Sequence, residues 1–148
     1  MLAGDLVIQW NATALDAIRV DNRAPQIASR TLAIMHAAIF DAVNAIDREY
    51  QPYRVDVMSP GASAEAAVAA AADRVLTQIY PAQAATFDSK LASSLAAIPD
   101  GPAEDGGVAL GRFVADQILA LRRNDGSNLV VPYTPGTKPG DWRPTPPG

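Results

Sequence analysis

Apolar residues recur three and four positions apart along most of the chain, and that spacing predicts five helices over about residues 5–20, 24–48, 62–79, 81–97 and 103–123. In the first, Leu6, Trp10, Ala14 and Ala17 share one stripe while Asp16 and Arg19 lie off it, and Asp5 is placed to cap the helix start. The second has the stripe Ala28, Leu32, Met35, Ile39 and Val43, widened by Ile27, Ile34, Ala38 and Ala42. Apolar on several sides and rich in alanine, it is expected to be the central helix, with neighbours approaching its axis closely.

The third helix carries Val68, Ala72, Val75 and Ile79 on one face, with Glu65 near its positive end. Tyr80-Pro81 forces a corner, after which Phe87, Leu91, Leu95 and Ile98 make an inner face and Lys90, Ser93 and Ser94 lie elsewhere. In the fifth helix Leu110, Val114, Ile118 and Leu121 point inward, Asp105, Arg112 and Asp116 face water, and Gly126 offers a left-handed cap. Pro25 is suited to a first helical turn, and Pro99-Asp100-Gly101-Pro102 marks a turn.

Two stretches escape the helical period. Residues 50–61, with Pro52, Pro60 and Gly61, read as an ordered crossover in which Tyr50 and Tyr53 pack against the body. After residue 126 prolines stand at 132, 135, 139, 144, 146 and 147, so residues 127–148 are expected to form an extended tail or connector following a helical domain over 1–126. Trp142, flanked by prolines, is expected to anchor that tail to the body. The fold class is therefore all-α: a bundle of about five helices around a central helix, with a Pro/Gly-rich C-terminal tail.

Composition narrows the chemistry more than the fold. Aromatics make up only 6% of a chain that is 49% hydrophobic, which favours close helix packing over broad β-surfaces. The net charge of −4 and the absence of a basic cluster beyond Arg122-Arg123 argue against a nucleic-acid partner. With no cysteine there is no thiolate metal site, disulfide or cysteine nucleophile. No stretch is long and apolar enough to predict a membrane span, and the first ten residues lack the basic start of a signal peptide.

His36, the one histidine, shares a helix face with Phe40, Asn44 and Asp47. It invites a general-base reading, but without a nucleophile or second ligand nearby the favoured reading is an imidazole hydrogen-bonded to a neighbouring helix or loop. Asp41, Asp47 and Glu49 suggest an acidic metal site; yet six helical residues turn about 600°, leaving Asp41 and Asp47 about 120° apart, so capping or pairing with Arg30 or Arg48 is favoured. Arg122-Arg123 complements a helix end. These residues supply no catalytic, cofactor-binding or metal-binding set.

Four segments in order, Val7-Ile8-Gln9-Trp10-Asn11, PQIASRTLAIMHAAIFDAVNAI over 25–46, LALRRNDGSNLVVPYTP over 119–135 and GDWRPTPP over 140–147, resemble the N-terminal region of vanadium-dependent haloperoxidase-related proteins of the type 2 phosphatidic acid phosphatase superfamily. The resemblance implies a helical segment packing on its own C-terminal domain. That domain holds vanadate, or phosphate in the phosphatases, through Lys, Arg, Ser-Gly-His and an apical histidine. None of those motifs matches here, so no catalytic residue is transferred, His36 included, and vanadate is implied only for the full-length family member. The expectation is a non-catalytic segment of a haloperoxidase-like or acid-phosphatase-like enzyme, frequently an exported one. The alternative is a self-contained helical module that forms homo-oligomers.

Overall fold

The computed structural model describes residues 3–144; positions 1–2 and 145–148, including Pro146 and Pro147, lie outside the described residues. Five helices follow in order, α1 (Ala3–Val20), α2 (Pro25–Asp47), α3 (Ala64–Ile79), α4 (Ala84–Leu95) and α5 (Pro102–Arg122). A single 3-10 turn, Pro81–Gln83, forms the corner that Tyr80-Pro81 requires. No strand occurs among the described residues. The first helix starts at Ala3, so Asp5 is inside its opening turn and not at its cap.

The expected stripes become the core. Leu6, Trp10, Ala14 and Ala17 of α1 are buried, as are Phe87 and Leu91 of α4 and Leu110, Val114 and Ile118 of α5. In α4 and α5 two positions depart clearly from the pattern. Leu121 ends exposed near the last turn, and Ser94 is buried because its hydroxyl returns to the Lys90 carbonyl at 2.9 Å, which removes its need for water.

The helix at the centre is α3, not α2. Residues 66–73 are all buried, a run that only a helix covered on every side can have. Its seven alanines allow α1, α2, α4 and α5 to pack on it, whereas α2 packs chiefly on α3 and α5 and only lightly on α1. Ile27 and Phe40 of α2 consequently stay exposed. Ser63 caps α3, its hydroxyl accepting from the Ala66 N–H at 3.2 Å.

The closest packing is between α3 and α5. A Cβ on Gly107 would lie 2.4 Å from the Ser63 carbonyl oxygen, and one on Gly111 would lie 2.4 Å from that of Ala67. Two backbones therefore approach within a distance that any side chain would prevent. The Ser63 N–H donates to the Ala103 carbonyl at 2.7 Å, fixing the register of the pair.

The tail leaves α5 through a polar knot. Arg30 donates to the Asp125 carboxylate at 2.9 and 3.1 Å and to the Arg122 carbonyl at 2.8 Å. Hydrogen bonds from Ser127, then Arg30, hold the Asp125 carboxyl down at about 2. Gly126 is left-handed as expected, with φ 82°, but it serves a turn beyond the helix, whose cap is Arg123. Trp142 does not anchor the tail to the body. It is 62% exposed and packs edge-on against Tyr133 of the same tail, ring centres 5.2 Å apart, because the prolines turn the segment back on itself instead of onto the helices.

Candidate functional site

The face of α2 that carries His36 turns toward the one neighbour it barely touches. Because α1 packs on α3 and diverges from α2, a cleft of about 390 Å³ opens between them. Val68 of α3 forms its floor, with Val7 of α1 and Ile39 and Val43 of α2 as walls. Around it stand His36, Phe40, Asn44, Asp47, Glu49 and Tyr50. The three- and four-residue spacing had grouped His36, Phe40, Asn44 and Asp47; folding adds Glu49 and Tyr50 from the crossover, which no helical period connects to them.

Two buried polar side chains of α2 hold that crossover in place. Asp41, 1% exposed, accepts the backbone N–H groups of Tyr53, Arg54 and Val55 at 2.7, 2.9 and 2.8 Å. Asn44 pairs with both backbone groups of Tyr50, accepting its N–H and donating to its carbonyl, each at 2.8 Å. These bonds, the three to the Asp41 carboxylate charge-assisted, convert a segment without secondary structure into a fixed wall. Asp41 thus pairs with neither Arg30 nor Arg48: Arg30 goes to Asp125, and Arg48 to Asp56 at 2.5 Å. Arg48 itself closes α2 in the left-handed conformation, φ 55°, and turns the chain back along the helix.

His36 has the structural partner its position suggested. Its Nε2 is hydrogen-bonded to Asn11 Oδ1 at 3.0 Å, a link across the mouth between α2 and α1. Asp41 points into the crossover and Asp47 sits exposed at the helix end, so the acidic residues do not converge, and no group of three metal-ligating side chains occurs among the described residues.

The tyrosines of the crossover, Tyr50 and Tyr53, are 64% and 51% exposed, so each touches a neighbour at the surface and neither is buried in the body. Tyr50 lies against Phe40 with ring centres 6.2 Å apart, and Tyr53 lies beneath the Arg122 guanidinium, 5.8 Å from ring centre to Cζ, and accepts a hydrogen bond from it. Arg122 is thereby committed to the body, and no free Arg122-Arg123 anion patch results.

Elsewhere Trp10 is fully buried with its indole N–H unpartnered, and Asp73 Oδ1 is likewise buried without a hydrogen bond. Burial, reinforced by Asp88, pushes the Asp73 carboxyl above the ordinary carboxylate range against the pull of Arg112 and Arg74. Among the described residues no helix is long and apolar enough to cross a membrane. Comparison of the chain with known protein families, curated proteins and solved structures finds no match.

Proposed function

We propose that this chain is the helical, non-catalytic N-terminal segment of a haloperoxidase-like or acid-phosphatase-like enzyme and that its role is to support an oxyanion-binding helical domain of the same polypeptide. The observation that carries the reading is the run Leu129-Val130-Val131, with Tyr133 after it, exposed on a tail that leaves the bundle through the Arg30–Asp125 knot. Three aliphatic side chains in a row, uncovered by their own bundle, are suited to burial against another domain. The four segments that resemble the family support the same reading, since the tail belongs to two of them.

In this reading the vanadate or phosphate is held by arginine, lysine and histidine side chains of the partner domain, and the chain described here contributes support, not a chemical step. The purified 148-residue protein is expected to oxidise no bromide with vanadate and peroxide and to hydrolyse no phosphate ester. Robust turnover of either kind overturns the proposal. Reading the gene past Gly148 tests the other half: an Arg-rich segment with Ser-Gly-His supports it.

A second reading rests on Ile27 and Phe40, which leave apolar surface on α2 that a second copy can cover. Light scattering separates the two, because a homo-oligomerising module gives a dimer or larger species where the supporting segment gives a monomer.

A further inference from the structure

We infer that the cleft between α1 and α2 is a binding site for a small organic cation with an apolar body. Its interior is aliphatic, from Val68 at the floor to Ile39 and Val43 on the wall, and its volume of about 390 Å³ suits one aromatic ring with a short chain. The Phe40–Tyr50 pair at the mouth offers ring faces, and aromatic faces attract cations. The polar groups at the mouth have one sign. Asp47 and Glu49 line the cleft, and neither has an ion pair or hydrogen bond among the described residues.

Two neighbouring groups that would otherwise neutralise these carboxylates are already occupied. Arg48, between them in sequence, is paired with Asp56 at 2.5 Å, and His36 Nε2 is hydrogen-bonded to Asn11 Oδ1. Asp47 is also the last residue of α2, where the helix dipole is negative and the last turn holds no basic residue. The carboxylates and the dipole therefore add to one negative potential over an apolar hollow, and a ligand with a positive head and an apolar body satisfies both. An anion or a neutral apolar molecule satisfies at most one.

The site is independent of the proposed support of a second domain, and the test is run on the 148-residue chain. Calorimetric titration with 4-phenylbutylamine, 4-phenylbutanol and 4-phenylbutyrate compares one body with three head groups. The amine is expected to bind at least tenfold more tightly than the alcohol, and the butyrate most weakly, with the amine preference shrinking as salt rises. Asp47→Asn with Glu49→Gln, both at exposed positions, is expected to bring amine affinity down to that of the alcohol while the alcohol's own affinity and the circular dichroism stay unchanged. Equal affinities for amine and butyrate, no binding of any probe at millimolar concentration to folded protein, or an amine affinity untouched by the double substitution each overturns the inference.

Discussion

The α3–α5 contact and the α1–α2 contact are made by helices of similar composition, yet one is closed to backbone distance and the other opens into a cleft. The difference lies in what stands at the crossing. Where Gly107 and Gly111 meet Ser63, Ala66 and Ala67, nothing larger than a methyl group separates the axes. Where α2 faces α1 it presents His36, Phe40 and Val43, and the helices are held apart, with the His36–Asn11 hydrogen bond reaching across the gap. An alanine-rich bundle is therefore not uniformly tight. Its closed seams come from glycine opposite alanine, and its hollows from the few bulky residues that share a face.

The contrast breaks most completely at Gly111. Gly111→Val places methyl groups where even a Cβ falls 2.4 Å from a carbonyl oxygen, and a stability loss of about 3 kcal/mol or more is expected in urea unfolding. Gly106→Ala, one residue before Gly107, is the control. Its Cβ would sit 3.6 Å from that of Ala62, an ordinary contact, and the better helix former is expected to add about 0.5 kcal/mol. A loss at Gly106 equal to that at Gly111 refutes the assignment of the seam to backbone approach.

On the open side, Asp41→Ala removes the acceptor of three crossover N–H groups. The expected loss is about 2 kcal/mol, smaller than at the glycine because a surface segment can rehydrate. It should be accompanied by displaced NMR signals of Glu49 and Tyr50, which form the mouth of the cleft. Unmoved signals argue that the crossover holds itself.

A further change concerns Asp73, which lies in α3 and is influenced by Arg112 of α5. A carboxyl held above its ordinary value resists ionisation in the folded protein. The fold is thus favoured below the ordinary carboxylate range and loses that advantage as pH rises through the native value. Asp73→Asn is expected to stabilise at neutral pH by about 1 kcal/mol, and the gain should vanish below about pH 4, which paired unfolding curves at the two pH values measure. A gain that persists in acid contradicts ionisation as the cause.

Much of the molecule was legible before folding. The inner stripes of α1 and α4 and the corner at Tyr80-Pro81 follow from spacing and proline chemistry, both local properties. The partial grouping of His36, Phe40, Asn44 and Asp47 was legible for the same reason, since one helix carries all four. Glu49 and Tyr50 were not, because they arrive by way of the crossover that Asp41 and Asn44 fasten. Residue type marked those two as polar residues on an apolar helix, but it did not say that their partners are backbone amides.

The sequence by itself determined five amphipathic segments, the breaks between them and the apolar face of each, because hydrophobic periodicity and turn chemistry are properties of neighbouring residues. Only the tertiary structure decided that α3 is the central helix, that Trp142 packs on Tyr133 within its own tail, and that α1 and α2 diverge over Val68. An apolar stripe states that a face will be covered without stating by what. The answer depends on how closely each pair of backbones can approach, a quantity set jointly by residues such as Gly111 and Ala67 that lie far apart in the chain.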